Sequence, residues 1–437
     1  MPSIALPVSL RGQLLYSTAF DPSRLVVGST ALVWLDPSDL TTLFQDAAGT
    51  TPVTAPGQPV GLALDKSGNG FHATSSGTSR PTYGVVPSRG RVNIYTQTAD
   101  LTNTTNWPTG NISNGTRSGA GVSVTTNEGF AYIARPVNSD TFTSGVNYTF
   151  SATVVCDQTV SNIPIRFSTP FGSAAALTSL TANVSQRIFI SVTASASGTG
   201  RSEFGIDARN AIVPGGSDLT GYTVTFSNPQ LETGSTATPY QRVVSAFDVT
   251  EAGAPSLSYL GFDGIDDFMV TPTITPNADK VQVFAGVRKL SDAATGILVE
   301  SSATIGSNSG AFNITAPSGA AQPTYALNSK GTALSSATAP TSFAAPITNV
   351  LTGLGDISGD LATLRVNGTQ VAQNTADQGT GNYLAHPLFI GRRGGTSLAF
   401  NGQLFSLIVR FSTANLDASL ISQTERWMGG KTGVTIA

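Results

Sequence analysis

The chain has 437 residues, enough for two or three domains that each bury a core. Charged residues make up only 11% of it and the formal net charge is −3 without a basic cluster, which argues against nucleic acid as a partner. No apolar run reaches the roughly 18 to 20 residues that span a membrane, and the N-terminus lacks the basic and apolar regions of a secretory signal.

The sequence predicts β-strands along almost its whole length. In five stretches apolar residues recur at every second position, which places them on one face of a sheet. In chain order these sets are Tyr148, Phe150, Ala152 and Val154; Ile188, Ile190 and Val192; Tyr222, Val224 and Phe226; Val281, Val283, Ala285 and Val287; Phe405, Leu407, Val409 and Phe411. The single cysteine, Cys156, follows the first set and is predicted to be a small buried residue. Short strands separated by frequent turns are typical of β-sandwiches.

Two local signals lie closer to the C-terminus. LRVNGTQV predicts a two-residue hairpin turn, because Asn367 and Gly368 can adopt the positive φ angles of a type I′ turn. LDASLISQTERWMGG predicts a helix that ends at Gly429 and Gly430. The residues on its apolar face are Leu420, Ile421, Thr424, Trp427 and Met428.

Residues 31 to 83 resemble the start of the concanavalin A-like, laminin-G-like sandwiches that are common in phage and prophage structural proteins. The stretches that carry this likeness are ALVWLDPSDLTTLFQD, VTAPGQPVGLALDKSGNGFHAT and SRPTY. In that family a stretch like LGFDGIDDFMV follows soon after one like LDKSGNG, whereas here it begins only at residue 260. The likeness then continues through LATLRVNGTQVAQN and LFIGRRGGTSLAFNGQLFSLIVRF to the final helix.

The intervening residues resemble the carbohydrate-binding-module-like jelly rolls that are also found in phage proteins. Their matching stretches are VNIYTQTADLTNTTNW, NYTFSATVV and YTVTFSNPQLETGSTATPYQR. Together the two resemblances imply an all-β fold of two jelly-roll-type β-sandwiches, one inserted in the other, with a short C-terminal helix. The predicted domains are 31–90 with 244–437 for the outer sandwich, 91–243 for the inserted jelly roll, and 1–30 for an N-terminal arm or docking segment. Residues 1–30 could instead be one more strand of the sandwich with a frayed tip.

Two loops contain candidate metal ligands. The first has oxygen-bearing side chains at positions 1, 3 and 5 of a calcium-loop pattern, but Ser76 stands where that pattern expects an acidic residue. The resemblance would bring this loop beside a second one that is rich in aspartate. The candidate ligands are Asp65, Ser67, Asn69, Asp263, Asp266 and Asp267. The alternative is that these residues only build turns, so calcium is a candidate and no cofactor is predicted.

The sequence favours a non-enzymatic protein. Asp266 and Asp267 are adjacent, so on a strand they would point to opposite faces, whereas glycoside hydrolysis needs two carboxyls across a cleft. Neither His72 nor His386 is accompanied by a nucleophile motif such as G-x-S-x-G. A polysaccharide depolymerase is kept as an alternative.

Sugar binding is the leading functional hypothesis. Such sites combine an aromatic platform with amides and charged groups that bind hydroxyls. The candidate residues are Asn106, Trp107, Tyr132 and Arg135 in the inserted segment, and Arg392 and Arg393 in the outer domain. Trp107 could instead plug one end of the jelly roll, and the two arginines could form a solvated turn or a subunit interface.

The resemblances imply a phage virion surface protein, as a fibre, spike or decoration on the tail or the head, that adheres to host surface polysaccharide. Its expected partners are other virion proteins, a host glycan and further copies of itself, with a trimer favoured and with no nucleic acid or membrane insertion. Its expected location is the virion surface, after assembly in the host cytoplasm. The main rival is a purely structural capsid or tail protein that binds no sugar, because these folds also serve as spacers and docking modules.

Overall fold

The computed structural model describes residues 20–103, 105–107, 115–118, 121–125, 130–136, 138–207, 215–217 and 221–436. In this part of the chain the fold is all-β with one α-helix near the C-terminus, which confirms the predicted fold class. No helix in the same ranges is both long and apolar enough to cross a membrane. Of the predicted N-terminal arm, residues 1–19 lie outside the described residues, and Pro22–Val26 form a 3₁₀ helix that Asp21 caps.

The first part of the chain contributes five strands and a second 3₁₀ helix, Leu40–Thr42. The strands are β1 (Ala31–Leu35), β2 (Leu43–Phe44), β3 (Leu62–Ala63), β4 (Ala73–Thr74) and β5 (Thr82–Pro87). The middle part contributes β6 (Gly115–Ser118), β7 (Gly121–Thr125), β8 (Phe130–Ala134), β9 (Asp140–Phe142), β10 (Asn147–Cys156), β11 (Val160–Thr169), β12 (Gly172–Leu180), β13 (Gln186–Thr193), β14 (Gly198–Gly200), β15 (Glu203–Asp207), β16 (Thr223–Thr233) and β17 (Gln241–Val243).

The last part contributes the remaining strands and the helix. They are β18 (Val249–Glu251), β19 (Ser256–Asp263), β20 (Met269–Val270), β21 (Lys280–Lys289), β22 (Ile297–Ser301), β23 (Ala311–Thr315), β24 (Ala326–Lys330), β25 (Leu334–Thr338), β26 (Ile347–Asp356), β27 (Leu361–Val366), β28 (Thr369–Asn374), β29 (Leu388–Ile390), β30 (Asn401–Ser412) and α1 (Ala418–Thr432).

The first and last parts of the chain build one β-sandwich. Among the described residues, one sheet has eight strands in the order β28-β27-β26-β21-β30-β19-β5, with β1 also paired to β30. The facing sheet has nine, in the order β2-β3-β4-β20-β29-β22-β23-β24-β25. Leu260 and Leu407 of the first sheet pack with Val299 and Ile314 of the second in a single core. Because β5 pairs directly with β19, a strand that precedes the middle part and a strand that follows it are neighbours in one sheet.

Helix α1 covers the outer face of the eight-stranded sheet. Trp34 of β1 and Trp427 of α1 meet edge to face with ring centroids 5.8 Å apart, and both belong to the cluster under the helix. The helix continues to Thr432 and is capped by Gly433, whose φ is 72°. The predicted stop at Gly429 and Gly430 is therefore wrong. Gly429 serves close packing instead, because a Cβ there would lie 2.5 Å from the carbonyl oxygen of Val434.

The middle part of the chain has sheets and a core of its own. Its described residues form a five-stranded sheet, β13-β10-β16-β7-β6, and a four-stranded sheet, β12-β11-β15-β8. Phe150 and Phe204 stack between them with ring centroids 4.1 Å apart. This core shares no residue with that of the outer sandwich. On these separate cores we propose that 91–243 is a domain inserted in a sandwich formed by 31–90 and 244–437.

Three local predictions can be compared with the structure. The Asn367–Gly368 hairpin turn is confirmed by φ angles of 51° and 81°, and Cys156 is confirmed as a fully buried free thiol. Phe405 was predicted to share a face with Leu407, and this is wrong. A β-bulge in β30, opposite Gly286 and Val287, turns Phe405 to the other face of the sheet.

Candidate functional site

The aspartate loop, residues 263–267, follows β19 and is folded by its own carboxylates. Asp263 Oδ1 accepts hydrogen bonds from the backbone N–H groups of Ile265, Asp266 and Asp267 at 2.7, 3.2 and 3.5 Å. In return, Asp267 Oδ2 accepts the backbone N–H of Asp263 at 3.0 Å. Local bonds of this kind explain why the sequence GFDGIDDF makes a tight turn here.

The aspartate loop is also tied to the first part of the chain. Asp266 Oδ2 accepts the hydroxyl groups of Thr78 and Ser79 at 3.0 and 3.3 Å. The backbone N–H of Phe268 donates to the carbonyl oxygen of Ser79 at 3.0 Å. Segments that are nearly two hundred positions apart in sequence therefore meet at this loop, although the contact is made by residues after the LDKSGNG turn and not by Asp65.

The three carboxylates of the loop concentrate negative charge. One side-chain oxygen from each of Asp263, Asp266 and Asp267 lies within 4.8 Å of the others. Asp267 is only 7% exposed, and its burial raises the pKa of its carboxyl to about 7. The neighbouring carboxylates of Asp263 and Asp266 raise this pKa further, while the backbone N–H of Asp263 opposes the shift.

On one side of the aspartate loop is the junction groove, a cavity of about 250 Å³ between β19, the start of β30 and the segment that follows β17. Its lining combines carboxylates, amides and apolar side chains. The lining residues are Thr82, Ala246, Phe247, Tyr259, Gly261, Phe262, Asp263, Asp267, Leu290, Asn401, Gly402 and Gln403.

The junction groove has groups that can bind a polar ligand. The buried Gln403 Oε1 accepts no hydrogen bond from any of the described residues. Phe247 is half-buried and packs on Tyr259, while Leu290 is 42% exposed. Burial raises the pKa of Tyr259 to about 12, so this side chain is a neutral phenol at ordinary pH. The arrangement offers hydrogen-bond acceptors beside apolar surface.

A second cavity, the arginine groove, also borders the aspartate loop; it is more open, has a volume of about 410 Å³ and includes Arg392 and Ile265. Arg392 Nη2 donates to the carbonyl oxygen of Thr396 at 3.0 Å, and its Nη1 reaches the carbonyl oxygen of Asp266 at 3.4 Å. Its Nε is buried and has no hydrogen-bond acceptor among the described residues. Arg393 is engaged elsewhere, since its Nε donates to the buried Glu300 carboxylate at 2.9 Å.

The loop of residues 65–71 contributes no carboxylate to the Asp263, Asp266 and Asp267 cluster among the described residues. Asp65 Oδ1 accepts the backbone N–H groups of Trp34 and Ser67, both at 2.9 Å, and Oδ2 accepts the Ser67 hydroxyl and the Phe71 N–H. Asn69 Nδ2 donates to the carbonyl oxygen of Leu32, which also lies 2.7 Å from Ser67 Oγ, so the single hydroxyl hydrogen of Ser67 is shared between this carbonyl and Asp65. These four donors occupy both oxygens of Asp65, so the loop's polar groups hold it against β1.

The Asp263 cluster falls short of the ligand set that calcium needs. Calcium takes six or more oxygens. The cluster offers three carboxylates, and one oxygen of each is already a hydrogen-bond acceptor inside the fold. The residues present therefore do not by themselves fit a calcium ion, and no step of the proposed function uses one.

The candidate sugar residues of the inserted segment lie in or against its core. Trp107 is 2% exposed and donates its Nε1–H to the carbonyl oxygen of Gln97 at 2.9 Å. The guanidinium of Arg135 lies over the Trp107 ring, 5.0 Å from its centroid, and Arg135 Nη1 donates to the carbonyl oxygen of Asn106. Tyr132 is half-buried on β8. A buried ring that is stacked on a cation has no open face, so Trp107 cannot act as a sugar platform in this structure.

Sequence reasoning missed most of the junction groove. Asn401 and Gln403 were not singled out as site residues, and the pairing of β19 with β30 brings them beside Asp263. Phe247 lies between β17 and β18, and its carbonyl oxygen accepts the backbone N–H of Val85 on β5. The two histidines have structural contacts: His72 Nδ1 accepts the backbone N–H of Asp65 at 3.0 Å, and His386 Nε2 lies 3.1 Å from the carbonyl oxygen of Ser309.

No family model matches the chain, and no curated protein matches it. One similar solved structure is the CBM40 of the Ruminococcus gnavus IT-sialidase bound to α2,3-sialyllactose, which is 15% identical over 35% of this chain and 95% of that chain, with a TM-score of 0.28. A native heptameric SAP-like pentraxin from Limulus polyphemus is 13% identical over 37% of this chain and 78% of that chain, with a TM-score of 0.30.

A third similar structure is the binding domain of botulinum neurotoxin DC in complex with SialylT. It is 13% identical over 39% of this chain and 42% of that chain, with a TM-score of 0.30. Likeness at these identities and TM-scores carries no argument about function, so the function must be argued from the site itself.

Proposed function

We propose that this protein is a non-enzymatic glycan-binding protein and that the junction groove holds the sugar. The observation that carries the proposal is the combination, in one groove, of carboxylates, amides and a half-buried aromatic ring. Sugars present hydroxyl groups at their edges and C–H groups on their faces. Such a ligand matches polar side chains placed beside apolar surface.

The polar groups of the groove converge from two neighbouring strands. Asn401 and Gln403 are two positions apart on β30, so their side chains point to the same face of the sheet. Asp263 at the end of β19 pairs with Asn401 in the strand register. A sugar hydroxyl could donate to Gln403 Oε1, which accepts no hydrogen bond from the described residues. Filling such an orphan acceptor is worth about 1 kcal/mol or more, because a buried unpaired acceptor is costly.

The test is a binding measurement with purified glycans and whole bacterial cells. We expect the Gln403→Ala variant to bind at least about fivefold more weakly than the wild type, since truncation of such a contact costs about 1 kcal/mol or more. The matched control is Gln370→Ala, because Gln370 is an exposed glutamine on β28 of the same sheet. If the wild type binds no glycan and no cells, the proposed glycan-binding function is wrong and the purely structural alternative takes its place.

We propose further that the protein is displayed on a phage virion, where its partners are other virion proteins and a host glycan. The support for this role is the sequence resemblance set out above and the low content of charged residues, 11%. Its location on the tail or the head is tested by fitting the chain into a map of the intact particle. A particle that lacks this chain would overturn the virion role and leave the glycan-binding role standing.

We also propose that the protein is a homo-oligomer, with a trimer favoured. The support is an exposed apolar edge on the inserted segment, where Leu177, Val184 and Phe189 are 43%, 46% and 53% exposed. Strand β12 lies at the edge of its sheet and carries no charged residue to block pairing. Light scattering of the full chain tests this proposal, and a monomer at micromolar concentration would contradict it.

A second candidate function, polysaccharide depolymerase, is favoured by one observation. Asp263 and Asp267 both line the junction groove, and the pKa of Asp267 is raised to about 7, which is a usual property of a general acid. Incubation with host capsule tests this function through the release of reducing ends. Release by the wild type but not by Asp267→Asn would favour the enzyme, whereas no release would remove it.

A further inference from the structure

We infer that the junction groove selects neutral and amine-bearing sugars and rejects sugars that carry a carboxylate or a sulfate. The inference rests on the proposed glycan-binding function and names the class of ligand. It follows from the signs of the charges in and around the groove.

The charged residues that line the junction groove are acidic. Asp263 and Asp267 face the cavity, and the third carboxylate of the loop, Asp266, lies within 4.8 Å of them. None of the lining residues is a lysine, an arginine or a histidine. A ligand in this groove therefore meets negative charge that no lining side chain balances.

Two arginines that act electrostatically on Tyr259 are directed away from the groove. Arg91 Nε and Nη2 donate to the carbonyl oxygens of Asn93, Ile94 and Tyr95. Arg288 Nη1 donates to the Thr348 hydroxyl at 3.1 Å. These arginines do not line the groove, so they cannot form the paired hydrogen bonds that usually recognise a carboxylate.

The negative charge of the junction groove should make sugars of different charge bind with different affinities. Two like charges about 4 Å apart repel by roughly 1 to 4 kcal/mol in surroundings that range from water to a protein surface. A ligand carboxylate in the groove would lie close to the Asp263 carboxylate and, above about pH 7, to the ionised Asp267 carboxylate as well, whereas an ammonium group would be attracted by them. Neutral hydroxyl-rich sugars avoid the repulsion and can still donate hydrogen bonds to the carboxylates.

The arginine groove contains a basic side chain and therefore differs in charge from the junction groove. Arg392 lines the arginine groove and does not line the junction groove. An anionic sugar that bound through Arg392 would respond to Arg392→Gln and not to changes in the junction groove. The two grooves can thus be distinguished by mutation.

The experiment measures the affinity of the full chain for matched trisaccharides that are neutral, amine-bearing or carboxylated, at low and at high salt. At about pH 8, where Asp267 is ionised, we expect the carboxylated sugar to bind at least about fivefold more weakly than the neutral one at low salt, and the amine-bearing sugar to bind at least as well. The double variant Asp263→Asn with Asp267→Asn should reduce these differences to about threefold or less. Asparagine keeps an oxygen acceptor for the loop N–H bonds, and circular dichroism checks that the variant is folded.

The outcomes separate the inference from the function on which it rests. If a carboxylated sugar binds as tightly as the neutral one, or if discrimination is unchanged in the double variant, the charge selection is overturned while glycan binding stands. If carboxylated sugars bind and Arg392→Gln abolishes their binding, the arginine groove holds the sugar and the inference is overturned. If no sugar of any charge binds, both the inference and the proposed function fall.

Discussion

Gln241 Nε2 donates to the carbonyl oxygen of Gly90 at 2.9 Å, so the two ends of the inserted segment are joined by one side chain. Gln241 Oε1 accepts the backbone N–H of Val92 at 2.7 Å, and Nε2 also donates to Glu251 at 3.1 Å. Glu251 in turn pairs with Arg89 at 2.6 Å. The fully buried glutamine therefore fixes where the chain leaves the outer sandwich and where it returns.

Replacing Gln241 with alanine should destabilise the protein strongly. The variant Gln241→Ala leaves the buried Gly90 carbonyl and the half-buried Val92 N–H without their partner, and such a loss at a buried group costs about 1 to 3 kcal/mol. We expect the free energy of unfolding to fall by roughly 2 to 4 kcal/mol in urea denaturation. Gln370→Ala, at an exposed position of β28, is the control and should change it by less than about 0.5 kcal/mol. An equal effect of both changes would show that the junction is not stabilised by Gln241.

Removing the inserted segment should leave a folded outer sandwich. Residues 91–243 can be replaced by a short glycine-serine linker, because Gln241 lies within hydrogen-bonding distance of Gly90. The sandwich core contains none of the residues of the segment that the structure describes, so we expect a single cooperative thermal transition and a strand-rich circular dichroism spectrum. The segment expressed alone should give its own transition. An unfolded product in both cases would contradict the proposed division into domains.

The sequence predicted the fold class and much of the strand pattern because alternating apolar residues are a local signal. It could not show the β-bulge that turns Phe405 away from Leu407, because one extra residue in a strand leaves no trace in composition. It also placed the end of α1 too early. Gly429 can end a helix or let another segment approach it, and only the position of Val434 shows which of these applies.

The candidate site was harder to predict because it depends on contacts between distant segments. The sequence placed Asp65 and Asp263 in one site through the resemblance, but the structure uses Thr78 and Ser79 to contact the aspartate loop. Trp107 was an attractive sugar platform because nothing local indicates whether a loop tryptophan is exposed. Burial is decided by the rest of the fold, which a single sequence does not display.

Asp267 should make the protein less stable as the pH rises from about 4 to about 7. Its pKa is raised to about 7 in the folded state and has the ordinary value of about 3.9 in the unfolded chain, so between these values the folded state retains a proton that the unfolded state has released. The free energy of unfolding should therefore fall with pH, by at most about 1.4 kcal/mol per unit from this group, and should level off above about pH 7.

The variant Asp267→Asn isolates this effect. Urea denaturation from about pH 4 to about pH 8 should show a shallower slope for Asp267→Asn than for the wild type. Asp377→Asn is the control, because Asp377 is an exposed aspartate whose oxygen likewise accepts a backbone N–H. A wild-type slope that persists in Asp267→Asn would mean that other groups cause the pH dependence.

Added calcium should have little effect on stability. The carboxylates of the aspartate loop supply at most three free oxygens, and Asp65 is occupied by four hydrogen-bond donors. We expect the melting temperature to shift by less than about 1 °C between chelator and millimolar calcium. A ligand stabilises the folded state appreciably only when its concentration exceeds its Kd. A clear rise that is absent in Asp263→Asn would establish a metal site at the loop.

Trp107→Ala should lower the stability of the inserted segment and leave glycan binding intact. The indole is a core side chain that packs edge to face on Tyr95, with ring centroids 5.6 Å apart, and Arg135 stacks over it. Its removal should cost about 3 to 5 kcal/mol, because a large cavity opens and the buried guanidinium keeps only Tyr95 of its two aromatic partners. Trp107→Phe should cost less because a ring remains to fill the site.

The junction groove lies on the outer sandwich and has no contribution from Trp107, so both variants should bind sugars within about twofold of the wild type when they are assayed well below their melting temperatures. Thermal denaturation and binding measured on the same samples separate the two effects. A folded Trp107→Ala variant that no longer binds sugar would move the binding site from the junction groove to the inserted segment, because loss of stability alone does not remove a ligand from a folded protein.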